Sequence, residues 1–255
     1  MTEAYNLNKT NIIVLHKVCR ASEIPINFED VETAILQEIL KQKEMQFVTI
    51  DEALSNNFLG RSNICLSFDD GNKSDVDVVL PILLEARAKA TFFITTDWIG
   101  QAGFLNLSDI IELHNNGMQI GSHGKTHDSM KYMSDQELEE ELSSSKRTLE
   151  NIIGASVESV SFPFGEHRPN SYEIARKVGY NLCCNSCHGL ASFSKPYLRR
   201  NSINKHTQIE KIASIVRPSA KVKILWQVED ISKKILKKVL SSRYIQIREA
   251  FFGKD

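Results

Sequence analysis

Along the chain, short runs of apolar, β-branched and aromatic residues alternate with longer stretches whose apolar positions recur every three or four residues. The short runs predict strands at 12–15, 47–50, 64–68, 90–94, 118–120, 157–162, 180–184 and 197–203. The longer stretches predict helices at 29–43, 74–88, 107–116, 134–153 and 168–178. Asn115-Asn116-Gly117 and Lys177-Val178-Gly179 read as helix stops with glycine in the left-handed position. Ser134-Asp135-Gln136-Glu137 reads as a capping box that opens the longest helix.

Strand–helix alternation implies parallel strands joined by right-handed crossovers. About eight strands in about 200 residues suit a closed or nearly closed (β/α) barrel better than an open doubly wound sheet. Neither G-x-G-x-x-G nor G-x-x-x-x-G-K-[ST] occurs, which removes the main support for a nucleotide-binding sheet. The barrel is expected to fill residues 1–217 as one domain, with 218–255 as a helical extension packed on it. That tail is basic: residues 221–250 hold eight Lys or Arg against three acids. In it, Ile231, Ile235, Leu236, Val239 and Leu240 form a stripe opposite Lys233, Lys234, Lys237 and Lys238. The simple expectation is a packed helix with a solvated basic face; the sharper one is peripheral contact with an anionic membrane.

Composition narrows the class further. With 42% hydrophobic and 25% charged residues, the 255-residue chain has apolar material for a large core. Its net charge of −1 argues against nucleic acid as a partner. No run of 18 apolar residues predicts a membrane span, and the polar start followed by the short NIIVL run is unlike a signal peptide. A cytoplasmic location, peripheral to the inner face of the membrane if the tail binds it, is the resulting expectation. The five cysteines are then expected as reduced thiols, and the lone Cys184-x-x-Cys187 as an ordinary pair rather than a zinc site.

Polar residues fall just past several predicted strands. His16 follows IIVL, Asp69 and Asp70 follow ICLSF, His123 follows MQIGS with His127 four residues on, and Pro163-Phe164-Gly165 follows SVSF. In a (β/α) barrel these points all lie on the C-terminal mouth, where enzymes of that architecture carry their active sites. Histidines at i and i+4 in GSHGKTH point the same way and share a cation. With a carboxylate from a neighbouring strand they form a two-His, one-Asp set that leaves open positions on a divalent ion. Asp69 and Asp70, adjacent at a strand end, project to opposite sides. One ligates; the other accepts a proton from the attacking water, and spacing does not assign the roles. Neighbouring carboxyls cannot readily oppose each other across a glycosidic bond, which disfavours a glycosidase. A two-His, one-Asp iron oxygenase is disfavoured by the strand–helix repeat.

SFDDG, SHGKTH and SFPFG, in that order, resemble the three main motifs of the polysaccharide deacetylases, carbohydrate esterase family 4. The resemblance covers roughly residues 10 to 205. It implies a distorted (β/α) barrel with seven or eight parallel strands, and metal-assisted hydrolysis of the acetamide of an N-acetylated sugar in surface-polysaccharide assembly. Carried over, Asp69 is the general base, while Asp70, His123 and His127 hold the ion, zinc first and cobalt or nickel as alternatives. The ion and backbone N–H groups near Phe164, in the Pro163-Phe164-Gly165 turn, would stabilise the oxyanion.

Two positions depart from the pattern. Many members have Arg two residues before the proline of the third motif, where this chain has Ser161, and no histidine follows Arg217 to serve as the late acid. Leu15-His16-Lys17-Val18 resembles the Y-H-x-V of the permuted poly-N-acetylglucosamine deacetylase subgroup, which makes His16 the expected general acid and His188 its reserve. Arg200 is expected to steady the base or to meet substrate, and Trp98 and Phe104 to pack in the core or stack on a sugar. The acids of 135–141 are expected to form one solvated helix face. The substrate is expected as a glycan or a lipid- or nucleotide-linked precursor. The alternative is a carbohydrate-binding protein on the same scaffold that has lost turnover.

Overall fold

The computed structural model describes residues 9–20, 22–42, 44–55, 63–233 and 235. Strands are β1 Lys9–Leu15, β2 Val18–Cys19, β3 Val31–Glu32, β4 Gln46–Val48, β5 Asn63–Phe68, β6 Ala90–Ile94, β7 Gln119–Ser122, β8 Ser159–Ser161, β9 Leu182–Cys184, β10 Ala191–Ser192 and β11 Asn201–Ser202. Helices are α1 Thr33–Leu40, α2 Ile50–Leu54, α3 Leu80–Glu85, α4 Leu107–Asn115, α5 Asp135–Ile153, α6 Ser171–Val178 and α7 Ile212–Val216. The main sheet runs β10-β1-β5-β6-β7-β8-β9, parallel except for β10, with β4 also on β5 and β11 also on β1. Leu198 bridges Cys184 in β9, and Asn201 pairs with Ile13 in β1. Residues 198–202 therefore close the curled sheet into a distorted (β/α) barrel.

The sequence explains why this closes. β6 is buried at every position, as expected of a parallel strand covered on both faces, and β5 is buried from its second residue on. α5 opens with the Ser134/Glu137 capping box and ends at left-handed Gly154. Several expected elements shrink; most of all, the 197–203 strand survives only as a bridge at Leu198 plus β11, and the 29–43 helix starts at Thr33, leaving Glu29 outside it.

The tail differs from expectation in how it docks. Residues 220–233 are helical. Their contact with the barrel runs through buried Trp226, over the His188 ring at 6.3 Å, and through Asp230, which accepts from His188 N–H at 3.0 Å and meets its Nδ1 at 2.8 Å. Ile231 and Ile235, expected to pack, are exposed; Leu236, Val239 and Leu240 lie outside the described residues. Among the described residues no helix is long and apolar enough to cross a membrane.

Candidate active site

β5 delivers the two carboxylates. Asp69 extends its pairing by one residue, its N–H donating to Leu15 O at 3.0 Å. The chain then reverses: Asp70 and Gly71 both take left-handed φ values, 81° and 82°. Aspartate tolerates that region, and at 71 an added Cβ would stand 3.1 Å from Ile94 Cγ2, so glycine fits there. The reversal sends neighbouring carboxylates to different partners. Asp70 Oδ1 lies 3.5 Å from His123 Nε2 and 3.4 Å from His127 Nε2, whereas Asp69 turns to an arginine.

The three atoms fit a divalent ion. Asp70, His123 and His127 each offer a ligand atom, all within 4.8 Å of one another, and Asp70 Oδ1 is buried with no hydrogen-bond partner. His123 Nδ1 sits 2.9 Å from Ser161 O; a carbonyl can only accept, so Nδ1 carries the proton and Nε2 keeps its lone pair. Burial first, and His127 as a second like charge, pull the His123 pKa down to about 4 against the raising effect of Asp69, so the ring is neutral and ready to ligate. Among the described residues this is the one group of three or more such side chains placed to share an ion; Cys184 and Cys187 belong to no such group.

Asp69 is 2% exposed and enclosed by donors. Arg200 Nη1 and Nη2 donate to its two oxygens at 2.7 Å each, and Ser161 Oγ adds a bond at 3.1 Å. Burial pushes the Asp69 pKa up, but the guanidinium outweighs it and holds the carboxyl below the usual range. Arg200 is 1% exposed, and its other bonds go to Asn185 O, Ser67 Oγ and Ser161 Oγ. It therefore holds the Asp69 carboxylate from within the buried network. Its position in the barrel-closing segment carries it there from 131 residues away.

His16 stands past β1, its Nε2 3.2 Å from Glu29 Oε2 and its Nδ1 buried without a partner. Burial lowers its pKa, yet Glu29, then Asp70 and Asp69, raise it more, and the net direction is up. Ring contacts surround the second histidine ligand: Trp98 lies 4.6 Å from His127, Phe164 meets it edge-on at 4.8 Å, and Phe104 packs on Trp98 at 4.7 Å. Of the expected oxyanion turn, Pro163 has no N–H and Gly165 N–H donates to Phe162 O at 2.8 Å, so neither can serve as that donor. Phe164 contributes its ring. His188 is engaged by Asp230 and does not join the group.

The sequence model of the polysaccharide deacetylase family matches residues 58–183. The chain belongs to the polysaccharide deacetylase family. It is 31% identical over 121 residues to a chitooligosaccharide deacetylase of Azorhizobium caulinodans, covering 47% of this chain and 56% of that protein. The chain spans only part, from 16% to 56%, of the curated relatives it matches. Among solved folds, the Streptococcus pyogenes deacetylase PplD superposes with a TM-score of 0.75 at 22% identity, covering 82% of this chain and 99% of that one. A de-N-acetylase from Aggregatibacter actinomycetemcomitans gives 0.73 at 16% identity, covering 81% and 99%. These likenesses show the polysaccharide deacetylase fold.

Sequence reasoning missed two side chains of this site. Glu141 was expected on a solvated helix face, yet it is buried at 6% exposure and bonds the loop between the histidines. Its spacing from Leu138, Leu142 and Ser145 put it on the inner stripe, a signal the run of acids masked. Asp75, on the turn after the paired aspartates, is fully buried with both carboxylate oxygens unpartnered. Burial first, then the charges of Asp70 and Asp69, push its pKa well above the usual range, and nothing in the sequence singled it out.

Proposed function

We propose that this chain is a divalent-metal-dependent N-deacetylase that hydrolyses the acetamide of an N-acetylated sugar in a glycan or glycan precursor. The observation that carries the reading is the convergence of Asp70 Oδ1, His123 Nε2 and His127 Nε2 with Asp69 beside them, its oxygens committed elsewhere. Zinc suits two imidazoles and a carboxylate; cobalt and nickel suit them too. When bound, such an ion supplies Lewis-acid polarisation of the carbonyl and acidifies the attacking water.

The chain's own residues do the rest. Asp69 stays ionised at neutral pH and accepts the water proton as oxygen bonds to the acetamide carbon. Arg200 and Ser161 hold its carboxylate in one orientation through that transfer. The C–N bond then breaks, and the amine leaves only once protonated, which calls for an acid titrating near neutrality. His16 fits that role: Glu29, Asp70 and Asp69 raise its pKa against burial, and Nε2 on Glu29 leaves Nδ1 for the transfer. Products are acetate and a free amino sugar. Trp98 and Phe164, flanking His127, suit stacking on the apolar face of a sugar ring.

The rival reading, a sugar-binding protein without turnover, rests on the absent arginine at 161 and the absent late histidine. Arg200, in the barrel-closing segment just before β11, supplies a guanidinium to the same carboxylate, which favours the enzyme. The test is acetate release over a panel of N-acetyl sugars and oligosaccharides by zinc-loaded protein against chelated protein. His16→Ala should keep its zinc and lose roughly 100-fold or more in turnover. Wild-type protein that takes up no zinc and releases no acetate from any member would end the proposal.

A further inference from the structure

The loop GKT joins the two histidine ligands and is held from outside the site. α5 is locked to the barrel, with Ser145 Oγ 2.8 Å from Ser122 Oγ in β7, and it points Glu141 at that loop. One oxygen, Oε1, accepts from Lys125 N–H at 2.7 Å, Thr126 N–H at 2.8 Å and Thr126 Oγ–H at 3.2 Å. Two consecutive backbone N–H groups converging on one buried carboxylate oxygen make a tight anion cradle. The fit is close: a Cβ at Gly124, where φ is +82°, would stand 2.8 Å from that oxygen. Immediately beyond, His127 takes a left-handed φ of 71°, a region few non-glycine residues occupy.

We propose that Glu141 is a positioning residue for the cation site, holding the 125–126 backbone so that His123 and His127 aim Nε2 at one point. Glu141 does not touch the ion or the substrate; it acts through the loop. The inference rests on the metal-dependent reading above and adds to it the helix residue that maintains the site. Without the clamp, the two N–H groups lose their acceptor and His127 relaxes from its left-handed conformation, so the histidine pair must be reordered each time an ion binds.

The test is zinc affinity, measured by competition with a chromophoric chelator, together with thermal unfolding of the metal-free proteins. Glu141→Gln keeps the volume and one acceptor but loses the charge, and zinc affinity should fall on the order of tenfold; Glu141→Ala should lose on the order of 100-fold. Glu141→Asp, with the charge on a shorter arm, should lie between wild type and Ala. Cobalt-loaded Glu141→Gln should show altered visible bands, reporting changed ligand geometry apart from any activity. Should the alanine variant fail to fold, the glutamine variant decides. A Glu141→Gln protein that melts earlier yet binds zinc as tightly as wild type, with an unchanged cobalt spectrum, overturns the positioning role. That result differs from wild type taking up no zinc at all, which removes the metal reading beneath it.

Discussion

The two sides of the mouth are built differently. On the side of the base, Asp69, Arg200, Ser161 and Ser67 satisfy one another at 2.7 to 3.3 Å within a buried network. On the side of the acid, His16 Nδ1 and both oxygens of Asp75 are buried with no partner, and the bond that holds His16 reaches out to the half-exposed Glu29. The first side is fixed by hydrogen bonds and the second by burial and charge. A group that must only stay ionised and aimed gains from a closed network. A group that must give up a proton and regain it needs a pKa near the working pH, which a guanidinium clamp would abolish.

Removing the clamp should give the largest effect. Arg200→Met leaves Asp69 a buried anion with the Ser161 hydroxyl as its remaining side-chain donor, with an expected loss of about 3–5 kcal/mol in stability. Turnover should fall by roughly 100-fold or more as the base loses its orientation. The sign with pH is set by Asp69. Its folded pKa is depressed in wild type, so its stabilisation is present above the unfolded carboxyl range and is lost only as pH falls through the depressed value. In the variant the pKa rises, and the acid limb of kcat/KM should move to higher pH. Equal urea midpoints and an unmoved acid limb would show that the base side does not depend on the network.

The difference between the sides also decides what could be read beforehand. The paired aspartates and H-x-x-x-H are local patterns at strand ends, so the barrel and the meeting of both histidines with one of the two aspartates were legible from spacing, while the choice of Asp70 over Asp69 came from the resemblance. Arg200 was legible as a candidate but not in its role. The segment that carries it keeps only a two-residue strand, and its partner comes from the other end of the sheet order. Glu141 was hidden because six neighbouring positions, 135–140, include Asp135, Glu137, Glu139 and Glu140, whose shared charge reads as a solvent face. His16 was placed at the mouth by its position past the first strand, but its expected role as acid came only from the resemblance, and its partner Glu29 belongs to a loop that the pattern assigned to a helix.

A smaller effect, of opposite sign, is expected on the acid side. Asp75 has a raised folded pKa, so wild type is favoured at low pH and loses stability as pH rises from the unfolded carboxyl range through the folded value. Asp75→Asn removes the ionisable group at nearly constant shape. Metal-free Asp75→Asn should be more stable than wild type at pH 8 by about 1–3 kcal/mol, the scale of a buried polar group without a partner. The gap should close by about pH 4, near the ordinary carboxyl range. Urea unfolding at the two pH values measures it. An asparagine variant less stable than wild type at pH 8 would mean that Asp75 is as well partnered as Asp69, and the contrast between the sides would collapse.

The gentlest perturbation separates the histidine from everything around it. Glu29 is the largest of the charges that raise the His16 pKa, and at half exposure it acts through a screened contact. Glu29→Gln keeps a hydrogen-bond acceptor for Nε2 and deletes the charge, so the His16 pKa should fall. An acid that must be protonated then loses its proton earlier as pH rises, and the alkaline limb of the kcat profile should move to lower pH. Below the limb, kcat should match wild type, because the ring stays in place and the base network is untouched. The readout is a pH–rate profile on saturating substrate, with the acid limb as an internal control for Asp69. An alkaline limb that stays where it is in Glu29→Gln, while His16→Ala is inactive, would assign that limb to some other group and leave His16 a role in holding substrate instead of donating the proton.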